Sequence, residues 1–348
     1  MNVSVKHISL SLAAASLFAL SGCKNSDITF DDFEYTSAYF ANQWPLRTLV
    51  MGQDFDMNTD LDNQHKCKIG ATMGGSYTGR NVTLGIAVDN SLCDNLYFDD
   101  AFQNPVKPMP SNYYELSSQQ ISYNGAKTGY VEVTFSDAFF ADEDAVKATY
   151  VIPLRITSFS GVDKLIEGEY DTESLSSAPS LTNSDAWMKL PQNFTLYCVK
   201  FMSKYAGWFL RRGVDNINGT EVKREFKNEY QIEDQVVNIT TNGLLKVSLD
   251  VVYLIDNVET TFTVVMTFDE KSQKCDISSG TPGVTITGSG QYVDGGAGKY
   301  WGDRLRDQLT LEYTINDGTN KISTKDTLVT QRRGVRTEDF PHYYKSSK

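Results

Sequence analysis

The chain has 348 residues, 40% of them hydrophobic and 12% aromatic, with a formal net charge of −12. Such a length suggests two domains, and the acidic balance argues against nucleic acid as a partner, because phosphates repel it. Only His7, His65 and His342 are present and none lies in a nucleophile motif, so histidine-based hydrolysis has little to work with.

Residues 1–22 read as a lipoprotein signal peptide. Lys6 gives a positive start, and residues 8–20 form an apolar run of 13. A spanning helix needs about 20 such residues, so the run suits a secretory leader better than a permanent anchor. Leu20-Ser21-Gly22-Cys23 then has the form of a lipobox, whose cysteine thiol is acylated. Two or more acyl chains hold a protein stably at a bilayer. Residues 23–34 read as a tether. The expected location is the outer membrane, exposed at the cell surface, with its periplasmic face as the alternative.

Residues 35–160 alternate apolar and polar residues with period two, over 46–51, 65–73, 81–88, 113–122, 128–135 and 148–158. Gly, Asn, Pro and Asp clusters separate the runs, and residues 136–147 read as a short helical insertion. This pattern predicts an all-β, immunoglobulin-like sandwich. Cys67 alternates with Ile69, Ala71 and Met73, which favours buried free thiols. The alternative for the remaining cysteines is a pairing of Cys67 with Cys93 and Cys198 with Cys275, in an oxidising compartment. No Cys/His spacing supports zinc.

Residues 161–192 are polar and aperiodic, and read as an interdomain connection. Residues 193–340 form a cleaner meander. Leu245, Val247, Leu249, Val251, Tyr253 and Ile255 share one face, as do Phe262, Val264, Met266 and Phe268. Asp317-Gly318 marks a hairpin between two alternating runs. Successive short turns predict an antiparallel up-and-down barrel of lipocalin-like form; full closure, which the pattern leaves open, would remove exposed edges. Ala206-Gly207-Trp208 opens it. Residues 341–348 read as a tail. The basic pairs Arg211-Arg212, Lys223-Arg224 and Arg332-Arg333 read as solvated or structural.

Aromatic residues supply the binding candidates. A sugar's C–H face suits an aromatic ring, while neighbouring polar groups take the hydroxyls. Tyr300, Trp301, Asp303 and Arg304 follow a glycine-rich turn and form the leading glycan platform; Trp187 and Trp208 are further candidates. The bland reading of each ring is β-core packing, and for Trp208 the plugging of a barrel end. Asp54, Asp56, Asn58, Asp60 and Asp62 place oxygens at every second position, a weak calcium pattern that lacks the glycine and glutamate of an EF-hand loop. Carboxylates are abundant, but no signature singles out a glycosidase pair. No cofactor and no catalytic residue is expected.

Three stretches together carry a resemblance: "LDNQHKCKIGATMGG" with "VDNSLCDNLYF"; "KPMPSNYYELSSQQISYNGAKTGYVEVTFSDAFFAD" with "ATYVIPLRITS"; and "LYCVKF" with "AGWFLRRG" and "STKDTLVTQRRGV". The chain resembles two-domain surface lipoproteins encoded with starch-utilisation-system-like glycan importers. Its first domain resembles an immunoglobulin-like domain found ahead of chitinase-like endo-β-N-acetylglucosaminidases. The resemblance implies a non-catalytic protein that binds oligosaccharide or polysaccharide, with an importer complex or surface glycosidase as partner and outer-membrane lipid held through Cys23. The alternatives are a lipocalin-like carrier of an apolar ligand, a glycosidase accessory, and a structural subunit.

Overall fold

The computed structural model describes residues 30–224, 231–299 and 302–346. The fold is nearly all β, with 51% of residues in strands and 7% helical. Cys23 and the leader, Tyr300 and Trp301 lie outside the described residues.

The first domain is a sandwich. One sheet runs in the spatial order Lys164–Leu165, Ser37–Tyr39, Lys66–Gly74, Thr128–Phe135, Tyr114–Leu116. The facing sheet runs Glu338–Asp339, Pro45–Val50, Phe194–Met202, Tyr150–Ser160, Thr83–Val88, Gln120–Ser122. Period-two alternation turns Ile69, Ala71, Val131 and Val133 inward from one sheet, and Ile152, Leu154, Val199 and Phe201 from the other. Each large side chain so buried contributes roughly 1.5–3 kcal/mol. The expected helical insertion is present as Asp137–Phe140 followed by a 3-10 turn at Glu143–Val146.

Two boundaries differ from expectation. Phe194–Met202, expected in the barrel, is a central strand of the sandwich. It pairs antiparallel with Tyr150–Ser160 and parallel with Pro45–Val50. Val199 and Phe201 fill the sandwich core, while Phe194, Leu196 and Cys198 fill a second apolar cluster on the sheet's other face. The segment 161–192 therefore returns the chain to the sandwich, and the crossing to the barrel is the short stretch 203–206. The C-terminal residues are not a free tail either. Glu338–Asp339 pairs with Pro45–Val50, and Tyr343–Tyr344 pairs with Leu96–Tyr97. His342 stacks on Trp44 with centroids 3.6 Å apart. Burial of this ring outweighs the pull of Asp185 and lowers the imidazole pKa.

The second domain is an eight-stranded closed antiparallel barrel. Its strands are Gly207–Ile217, Gln235–Thr241, Lys246–Ile255, Val258–Phe268, Lys274–Ser279, Thr285–Gly298, Arg306–Asn316 and Lys321–Arg332. Each pairs with the next, and Gly207–Ile217 closes the ring against Lys321–Arg332. Thr220–Arg224 adds a short hairpin strand against Gly207–Ile217. The hairpin at Gly318 has φ +92°, and Asp317 accepts the backbone N–H groups of Thr319 and Asn320.

Side chains fill the barrel. Val247, Leu249, Val264, Met266, Leu309 and Ile315 form its apolar body. Inward-facing Gly290 makes room for its neighbours: a Cβ there would lie 2.6 Å from Leu311 and 2.8 Å from the Cys275 sulfur. A polar cluster sits within this core. Arg211, 2% exposed, meets Asp326 at 2.8 Å and donates to the Tyr313 hydroxyl at 3.0 Å. Tyr253 bridges Tyr313 at 3.1 Å and Thr324 at 2.8 Å, and Thr324 donates to Asp215.

Cys67, Cys93, Cys198 and Cys275 are buried free thiols, not disulfide-bonded. Among the described residues no helix is long and apolar enough to cross a membrane.

Candidate functional site

The two domains meet around Arg333, which is 4% exposed. Its guanidinium donates to the carbonyl oxygens of Ser203 at 2.8 Å, Met51 at 3.2 Å and Lys204. One side chain thus joins the sandwich, the crossing segment and the barrel exit. Ser203 also accepts the N–H of Ala206, and Lys204 the Tyr292 hydroxyl, so the guanidinium adds a charged donor to carbonyls in a buried neck.

Beside this neck lies an open groove of about 410 Å³, lined by Asp54, Asp56, Trp208, Arg332, Arg336 and Glu338. The sandwich contributes the loop after Val50. Asp54 accepts the N–H groups of Asp56 and Met57 at 2.8 and 2.9 Å, folding the loop into an Asx turn. That turn holds Phe55 against the barrel, with the guanidinium carbons of Arg306 and Arg304 5.0 and 5.5 Å from its ring centroid. Arg304 also reaches Asp56 at 3.5 Å. Arg306 is buried and donates to the Gln331 carbonyl at 2.7 Å. Desolvation and then the nearby Arg304 charge lower its pKa.

The barrel contributes Trp208, which is half-buried at the start of Gly207–Ile217. Arg332 lies over its ring at 5.1 Å. Gly334 turns the chain past the indole at φ +77°, a backbone conformation that favours glycine. The indole N–H has no acceptor among the described residues. Arg336 approaches Glu338 at 3.6 Å on the groove wall. The result is one aromatic surface beside forked donors and carboxylate acceptors, open to solvent. Such a surface can stack a ring and hydrogen-bond its substituents.

The structure therefore brings Trp208, Arg304, Asp54 and Asp56 to one place. It does not bring the other candidates there. Asp303 pairs with Lys299 at 3.0 Å. Trp187 anchors the connecting segment: its indole donates to the Ser180 carbonyl at 2.9 Å, and its ring meets Tyr170 edge-on at 5.7 Å. The calcium pattern does not converge. Asp62 is buried against Arg47, Asn58 caps the N–H of Asp60, and Asp54 caps its own turn. Among the described residues no three His, Cys, Asp or Glu side chains gather as a metal site.

Phe55, Arg306, Arg336 and Glu338 are not singled out by sequence, and Arg332 reads there only as part of a solvated or structural pair. Phe55 carried the only available signal, as the lone aromatic within an acidic loop. The arginines could be placed only once the barrel exit was known to turn back across the sandwich.

A second, more apolar groove of about 760 Å³ includes Met51, His65, Phe140, Tyr205, Leu244 and Lys246. Its rings are already engaged: Tyr205 stacks on Phe268 at 3.7 Å, and His65 meets Phe140 at 4.2 Å.

Fold and groove define a two-domain β protein with a cleft at its domain junction. Residues 33–163 match a family model for an N-terminal domain, and residues 204–334 match a domain of unknown function, DUF5627. A crystal structure of a Bacteroides ovatus protein of unknown function is 38% identical, covering 90% of this chain and 100% of that one, with a TM-score of 0.83. The chain belongs to the family of that protein. A Bacteroides ovatus multidomain protein including DUF1735 is 13% identical over 85% of this chain and 94% of that one, with a TM-score of 0.38. Another Bacteroides ovatus protein of unknown function is 10% identical over 87% and 92%, with a TM-score of 0.41. No curated protein matches the chain.

Proposed function

We propose that the protein is a non-catalytic, cell-surface lipoprotein that binds oligosaccharide or polysaccharide for an outer-membrane glycan uptake system. The observation that carries this reading is the junction groove, where Trp208, whose indole N–H meets no acceptor among the described residues, stands among Arg332, Arg336, Asp54, Asp56 and Glu338. The lipobox at Cys23 supports the location. Barrel packing favours this reading over an apolar-ligand carrier, because the apolar body and the Arg211 cluster occupy the interior.

The test is binding of the mature chain to an array of complex and high-mannose oligosaccharides and plant polysaccharides, with Trp208→Ala and Trp301→Ala alongside. A lost ring contact is worth about 1 kcal/mol, or about fivefold in Kd. A retained glycan weakened by Trp208→Ala supports the groove. A glycan weakened only by Trp301→Ala keeps the function and moves the site. Absence of binding across the array by the folded wild-type chain removes the proposal.

A further inference from the structure

The sandwich pole opposite the barrel carries a cluster of aromatic rings that the groove does not use. Phe30 and Phe33 are 65% and 68% exposed, and both lie against Tyr77, itself 49% exposed, at 5.5 and 6.2 Å. Tyr35, 50% exposed, adjoins them under the Lys164 ammonium at 3.3 Å. The rings are held in place. Phe33 N–H donates to the Gly75 carbonyl, and Asp32 accepts from the Tyr77 N–H, Ser76 and Arg80. Gly75, at φ +89°, lets Tyr35 and Thr36 pass so closely that a Cβ would fall 2.1 Å from the Tyr35 carbonyl oxygen. The exposed apolar surface is therefore built on fixed backbone.

Its position is defined by the sandwich strands. Lys66–Gly74 begins beside His65, which lines the groove against the barrel, and ends beside the aromatic cluster. At about 3.4 Å per residue its length puts the two ends about 30 Å apart. The cluster is also the described part of the chain closest in sequence to Cys23, which precedes Phe30 by seven residues. Seven residues reach at most about 25 Å, even fully extended. An acyl group on Cys23 would keep this pole within reach of the headgroup layer, while the barrel lies at the far end.

We propose that Phe30, Phe33, Tyr35 and Tyr77 form a membrane seat that rests in the headgroup region of the bilayer holding Cys23. The proposal rests on the lipoprotein reading above. Exposed phenyl rings beside tyrosine hydroxyls suit a boundary that is apolar on one side and wet on the other. Lys164, Arg80 and Asp32 sit among the rings with charges of both signs, so the seat does not depend on an anionic lipid. Seating orients the molecule: the sandwich stands upright, and the Trp208 groove faces away from the lipid.

The test uses acylated protein, purified from membranes and reconstituted into phosphatidylcholine–phosphatidylethanolamine vesicles with acyl chains brominated near the headgroup. Phe33→Trp places a reporter in the cluster. Leu254→Trp places one on the outer wall of the barrel, where Leu254 is 61% exposed. The expected result is loss of the added emission for Phe33→Trp and its retention for Leu254→Trp. Intact-mass measurement on the same samples reads the acyl group at Cys23. Unquenched Phe33→Trp in acylated protein overturns the seat and leaves the anchor standing. Absence of the acyl mass removes the lipoprotein reading and the seat with it. If Phe30, Phe33 and Tyr77→Ser together abolish glycan binding in solution, the cluster is a sugar platform and the seat is overturned.

Discussion

Asp326→Ala should unfold the barrel's interior balance rather than remove a single contact. The Asp326 carboxylate meets the Arg211 guanidinium at 2.8 and 2.9 Å, and both side chains are almost wholly buried. The substitution leaves the cation without its principal counter-charge and shifts the Tyr313 hydroxyl from donor to Asp326 to a group facing only Arg211 and Tyr253. Breaking one side of such a pair costs about 3–5 kcal/mol. Replacing both sides with apolar groups, as Arg211→Met with Asp326→Leu, should cost less, because no buried charge remains. Urea unfolding read by indole emission and by far-ultraviolet circular dichroism gives both numbers, with the two domains fitted separately where their transitions separate. The reasoning is refuted if Asp326→Ala costs under about 1 kcal/mol, or if the double variant is as unstable as the single one.

Other outcomes follow from the junction, the strap and the thiols. Arg333→Ala should loosen the coupling between domains, since three carbonyl oxygens lose a charged donor; each such loss is worth about 1–3 kcal/mol, and limited proteolysis near 203–206 reads it. His342 is held neutral by burial, so its folded pKa lies below its unfolded one. The stability it contributes is present above the unfolded value of about 6.5 and falls away as pH drops toward the folded value. Trp44 emission should therefore change on acidification, and His342→Phe should flatten that change. Burial pushes the thiols of Cys67, Cys93 and Cys275 up to about 12 and raises Cys198 as well. Maleimide should leave all four unmodified in the native chain and label them in denaturant, read by mass spectrometry.

Local alternation carried most of the architecture. Residues 245–255 and 262–268 read as strands because one face repeats every second residue, and the strands Lys246–Ile255 and Val258–Phe268 turn that face into the barrel. Phe194–Met202 departs from its sequence expectation for a physical reason. It is buried on both faces, so it shows little alternation, and its partner Pro45–Val50 lies about 150 residues earlier, beyond any local pattern. The groove was legible only in fragments. Trp208, Arg304 and the acidic loop were visible as residue types, but their convergence depends on the return of residues 333–344 to the sandwich. Trp187 shows the reverse case: its ring type suggested ligand contact, whereas its indole N–H is taken by Ser180.

The barrel is interrupted cargo within the sandwich, and this has a consequence for synthesis. The ribosome releases Pro45–Val50 early, but Glu338–Asp339, which covers the outer edge of that strand at Pro45 and Leu46, comes some 290 residues later. In the interval an unpaired edge stands open to any extended chain nearby. The barrel closes mostly through neighbouring strands, so it can be complete as soon as residue 332 emerges. The last dozen residues then finish the older domain. A chain truncated after the barrel would keep nearly every core residue and yet leave the Pro45–Leu46 edge of the sandwich permanently unpaired.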